Sequence, residues 1–88
     1  MNIIVDIYYK SGNKITCYVY FDEYKEQSQK EEFIIRVKNI IYNKLNNNGF
    51  LTLGNKIINF KNVEYIDLKW DQKIILFKIK RRLYKCLK

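Results

Sequence analysis

Two stretches near the start of the chain alternate with a period of two on either side of a turn signal. Ile3, Val5, Ile7 and Tyr9 alternate with Ile4, Asp6, Tyr8 and Lys10, and after Ser11-Gly12-Asn13 the pattern resumes at Ile15, Cys17, Val19 and Phe21. Successive side chains of a strand point to opposite faces, so each stretch offers one face to a core. Residues 2–10 and 14–21 are therefore expected to pair as an antiparallel hairpin.

The period then changes. Ser28-Gln29-Lys30-Glu31 matches a capping box, in which the serine oxygen and the glutamate each satisfy an orphan backbone N–H. At about 100° per residue, Phe33, Ile34, Val37, Ile40, Ile41 and Leu45 share one helix face. The run 46–49, "NNNG", ends that helix, since Asn and Gly tolerate the left-handed conformation of a C-terminal cap. Two short strands follow at 50–53 and 56–60, joined by Gly54-Asn55, a two-residue turn with glycine in the first central position. Lys61-Asn62 turns the chain into residues 63–70, where Ile66, Leu68 and Trp70 share a face.

Residues 74–88, "IILFKIKRRLYKCLK", read as part of a second helix over about 72–87. On a helical wheel Ile75, Leu76, Ile79, Leu83, Cys86 and Leu87 fall within an arc of about 120°. Lys78, Arg81, Arg82, Lys85 and Lys88 lie opposite, with Lys80 at the edge and Asp71 placed as the N-cap. As a strand, only Ile75, Phe77 and Ile79 alternate before the pattern fails at Arg81-Arg82. Burying the six apolar side chains would contribute on the order of 10 kcal/mol before entropy costs, so docking on the sheet is the expected fate. The expected fold is α+β: one compact domain over residues 1–88, with a mostly antiparallel sheet of about five strands and two helices, in the order ββαβββα.

Charge is unevenly distributed. The net charge is +8, yet residues 1–72 hold ten Lys and Arg against nine Asp and Glu, whereas residues 73–88 hold seven cations and no acid. Ile, Lys, Asn, Tyr and Phe fill more than half of the chain, which has no His, Ala or Pro, as a strongly AT-rich genome would produce. Such a genome scatters lysine evenly, so it does not account for the basic end. The chain has only three arginines, and the adjacent Arg81-Arg82 points to bidentate contacts with phosphate, carboxylate or bases. Lys78, Lys80, Arg81, Arg82, Lys85 and Lys88 are thus the candidate contacts for a partner or a nucleic acid. Tyr8, Tyr18 and Tyr20 point away from Ile7, Cys17 and Val19, with Tyr65 expected beside them. They form a candidate aromatic contact face of the kind that stacks unpaired bases or meets a protein.

Catalytic chemistry is poorly supplied. There is no histidine, Cys17 and Cys86 cannot make a zinc site alone, and Ser11 and Ser28 have no base near them in sequence. No enzyme, metal or cofactor is expected. The two cysteines sit in apolar patterns and read as small buried hydrophobes. No apolar run approaches a membrane span, and Asp6 breaks what would be a signal-peptide core, so a cytoplasmic location is expected. The functional expectation is a small binding protein that occupies the surface of a protein or nucleoprotein partner, as an accessory or anti-defence factor of a phage or plasmid would. The alternative is direct DNA or RNA binding through the basic C-terminal helix; a membrane-surface role ranks below both.

Overall fold

A computed structural model of the chain describes residues 2–20, 30–70 and 74–81. In chain order they form β1 (Asn2–Tyr9), β2 (Lys14–Tyr20), α1 (Lys30–Asn46), β3 (Phe50–Leu53), β4 (Lys56–Asn59), a 3-10 turn (Phe60–Asn62), β5 (Val63–Trp70) and β6 (Ile75–Lys80). The four long strands make one antiparallel sheet in the order β2-β1-β5-β6, and β3 pairs with β4 as a separate hairpin.

The opening hairpin follows the alternation, with Ile3 opposite Val19, Val5 opposite Cys17 and Ile7 opposite Ile15. Gly12 donates to the Tyr9 carbonyl at 2.9 Å and adopts a φ of 96°, which closes the turn. The register carries the same face across β5 and β6. Trp70, Leu68 and Ile66 lie opposite Ile3, Val5 and Ile7, and Ile79 lies opposite Ile66. These side chains, with Ile34, Ile41 and Leu45 of α1, are the core between helix and sheet. Leu53, Ile58 and Phe60 extend it under the small hairpin. Gly54 turns that hairpin at φ 62°, and a Cβ there would stand 3.1 Å from the Tyr18 carbonyl, so glycine also permits the close approach to β2.

Helix α1 ends as a Schellman motif. Asn48, rather than Gly49, takes the left-handed conformation (φ 57°), and Gly49 donates to the Lys44 carbonyl at 2.9 Å. The apolar stripe is narrower than the wheel implies: Ile40 is 43% exposed, because the helix lies on β6, β3 and the 3-10 turn and only one arc is covered. Ser28, and with it the capping box, lies outside the described residues.

The end of the chain corrects the expected fold. Residues 75–80 are a strand and not part of a second helix, so among the described residues the sheet has four strands beside a two-stranded hairpin, with one helix and a 3-10 turn. Pairing accounts for the change. As a strand, Ile79 packs opposite Ile66, Phe77 opposite Leu68, and Lys78 opposite the buried Asp67, and β5 gains a hydrogen-bonded neighbour along its outer edge. A register shift between Leu68 and Lys69 leaves Leu76 as an extra residue, which lets an imperfect alternation lie on β5. The wheel puts Ile75 and Ile79 on one face; the strand buries Ile79 and leaves Ile75 53% exposed. The basic amphipathic helix invoked for a membrane surface is absent over this stretch, while Asp71 and residues 82–88 lie outside the described residues. Among the described residues no helix is long and apolar enough to cross a membrane.

Candidate binding surface

The helix covers one face of the four-stranded sheet, and the residues on the opposite face are set by the same registers. Running across β2, β1, β5 and β6, they form a row of Lys14, Tyr8, Tyr65 and Lys80. A second row holds Thr16, Asp6, Asp67 and Lys78, and a third holds Tyr18, Ile4, Lys69 and Ile75. Tyr20 and Asn2 follow on the first two strands. Period-two alternation puts these side chains on the face away from α1, except for Ile75, which reaches that face because the bulge at Leu76 reverses the alternation.

The middle row is charged and buried. Asp6 is 2% exposed and Asp67 5%, and they stand directly opposite each other, an arrangement that repels unless each carboxylate is neutralised. Lys69 Nζ lies 2.7 Å from Asp6 Oδ2, Thr16 Oγ1 donates to Asp6 Oδ1 at 2.7 Å, and Lys14 Nζ stands 3.9 Å away. Burial by itself would raise the Asp6 carboxyl, but the bonds from Lys69 and Thr16, with the charges of Lys69 and Lys14, outweigh it and hold its pKa below the ordinary carboxylate value. The bond to Asp6 correspondingly raises Lys69 above the usual ammonium value. Lys78 Nζ lies 3.2 Å from Asp67 Oδ1, an ion pair without hydrogen-bond geometry.

Above this row the aromatic side chains are ordered by cations. Tyr8 and Tyr65 stack with ring centroids 4.5 Å apart and an interplanar angle of 14°. Lys78 Nζ sits 4.2 Å from the Tyr65 centroid and Lys14 Nζ 5.6 Å from that of Tyr8. Tyr8, Tyr18, Tyr20 and Tyr65 thus share one sheet face but are of two kinds. Tyr8 and Tyr65 occupy each other, whereas Tyr18 and Tyr20 on β2 are 56% and 64% exposed.

The candidate cations separate in a similar way. Lys78 and Lys80 are exposed on β6, on the open face; Arg82, Lys85 and Lys88 lie outside the described residues. Arg81 faces inward. Its Nη1 donates to the Leu45 carbonyl and to Asn48 Oδ1, both at 2.7 Å, and its Nη2 donates to the carbonyls of Phe60 (2.6 Å), Val63 (2.8 Å) and Lys61 (3.3 Å). The guanidinium ties the helix C-terminus, where a cation suits the dipole, to the 3-10 turn and the start of β5. Its terminal nitrogens are engaged within the chain rather than offered to a partner.

Sequence reasoning passed over Lys10 and Lys14, which the fold brings to the same end of the sheet as Lys80. Lys10, Tyr65, Lys78, Lys80 and Arg81 line one cleft of about 660 Å³, and Glu64 is the acid at its wall. Lys10 also borders a cleft of about 790 Å³ on the other side, with Lys14, Tyr9, Asn13, Ile57 and Asn59. Lys10 donates its backbone N–H to the Asn62 carbonyl at 2.9 Å, which holds the hairpin turn against the 3-10 turn. Among the described residues Lys10, Lys61 and Lys80 form no ion pair. Lys14 was legible in principle, because the short turn fixes it opposite Tyr8, but Lys80 meets Lys10 only through tertiary pairing.

No three of His, Cys, Asp and Glu come together among the described residues in a way that could hold a metal ion. Cys17 is a free, buried thiol; burial pushes its pKa up, with Lys56 opposing, so it is a poor nucleophile. Comparison of the chain with protein-family models, with curated proteins and with solved structures gives no significant match.

Proposed function

We propose that the chain is a non-enzymatic binding protein that occupies the surface of a protein or nucleoprotein partner through the basic end of its open sheet face. The observation that carries this is the convergence of Lys10 and Lys80, two cations without ion-pair partners among the described residues, on one cleft from opposite ends of the chain. Cations gathered at one end of a sheet create a field that an anionic surface would complement, and the buried aspartates beneath are already neutralised by Lys69, Lys14 and Lys78. A role as accessory or anti-defence factor of a mobile element rests on chain size and AT-rich composition, not on the site.

The test is affinity capture from host lysate at physiological salt, with and without nuclease, using the wild type and the double variant Lys10→Glu, Lys80→Glu. The wild type is expected to retain a partner that the variant loses. Equal retention by a folded variant would move the contact away from the basic end.

A further inference from the structure

We propose that the open sheet face binds single-stranded nucleic acid, with phosphates on Lys10, Lys14 and Lys80 and unpaired bases against Tyr18 and Tyr20; this rests on the basic end being the binding surface. Lys14, Thr16, Tyr18 and Tyr20 share one face of β2, and at about 3.3 Å per residue they span roughly 20 Å. A single strand following β2 from the basic end would pass from lysines to two tyrosine rings about 7 Å apart. Tyr8 and Tyr65 stack on each other with lysines beside them, so they stiffen the face, while Tyr18 and Tyr20 have surface free for stacking. Aromatic stacking combined with a lysine track is how sequence-tolerant single-strand binding works.

Two observations separate this ligand from the alternatives. A protein interface is depleted of charge at its centre and charged at its rim, whereas here the exposed Lys78 belongs to the central row, over Asp6 and Asp67 that are buried and neutralised, and the exposed rings stand on an edge strand. A duplex is read by an element that enters a groove, but α1 packs behind the sheet, carries Glu31 and Glu32 in its first turn, and pairs Arg36 with Glu32.

The experiment measures fluorescence anisotropy of a labelled 12-nucleotide single strand, a duplex of equal length and a polyglutamate peptide, each with the full chain. The single strand is expected to bind at least tenfold more tightly than the other two. With three phosphates neutralised, its affinity should fall roughly 20-fold between 50 and 200 mM salt. Tyr18→Ala with Tyr20→Ala should weaken it at least tenfold without changing the salt slope, and Lys10→Gln should reduce the slope by about 0.7. Equal binding of the duplex, or tyrosine variants that bind like the wild type, would overturn the proposal. Preference for polyglutamate would overturn it too, yet leave the basic end as the surface for an acidic protein. If the Lys10→Glu, Lys80→Glu variant bound all three probes as the wild type does, the surface itself would be wrong.

Discussion

Arg81 and Asp6 show how single side chains hold this molecule together. A guanidinium is planar and carries donors in a rigid fork, so one side chain can bond carbonyls from the helix end, the 3-10 turn and β5 together. Arg81→Ala leaves part-buried carbonyls without their donor and should destabilise the fold by about 3 kcal/mol in urea titration. Arg81→Lys should recover only part of that, because an ammonium lacks the fork. Asp6 contributes with a definite pH signature. Its folded pKa lies below the unfolded value of about 3.9, so its stabilisation is complete above that pH and is lost as pH falls through the folded value. Lys69, raised in the fold, contributes stability that is complete below about pH 10.4 and lost as pH rises through its own folded pKa. Asp6→Asn should therefore lower the melting temperature at pH 7, with the gap to wild type closing as pH falls below about 4. A gap unchanged at pH 2 would mean the pairing contributes no electrostatic stabilisation.

At the scale of elements, β6 is where two readings of one stretch compete. On a wheel Ile75 and Ile79 are equivalent; in the strand Ile79 is buried beside Ile66 while Ile75 stands on the open face. Ile79→Ala should cost about 2–4 kcal/mol and Ile75→Ala less than about 1 kcal/mol, measured by denaturant unfolding. Equal losses would restore the helix. Much of the described chain up to Trp70 was legible locally: the hairpin alternation, the "NNNG" stop and the Gly54-Asn55 turn each state their geometry within a few residues, whereas the 3-10 turn at Phe60–Asn62 and the separation of β3-β4 from the main sheet emerge only in the fold. Residues 75–80 were not, because a short amphipathic stretch with one bulge fits either period. Its choice depends on β5 having an open edge and on Asp67 needing a cation, neither of which is visible within the stretch itself.

At the scale of the whole molecule, charge and stability are separable. Lys10 and Lys80 make no ion pair among the described residues, so Lys10→Glu with Lys80→Glu should leave the melting temperature within about 5 °C of wild type. That outcome, checked by circular dichroism, makes loss of binding by the same variant a statement about the surface. The basic bias of residues 73–88 was plain from the chain, and so was the shared face of Tyr8, Tyr18, Tyr20 and Tyr65. By itself the sequence determined the α+β class, the strands through β5, the first helix and the two faces of each strand, since these follow from side-chain period and turn chemistry within a few residues. Only the tertiary structure decided that residues 75–80 would be a strand, that Arg81 would turn inward, and that Lys80 would meet Lys10. Those outcomes depend on which carbonyls, carboxylates and strand edges lie across the sheet, and contacts made across elements leave no local period to read.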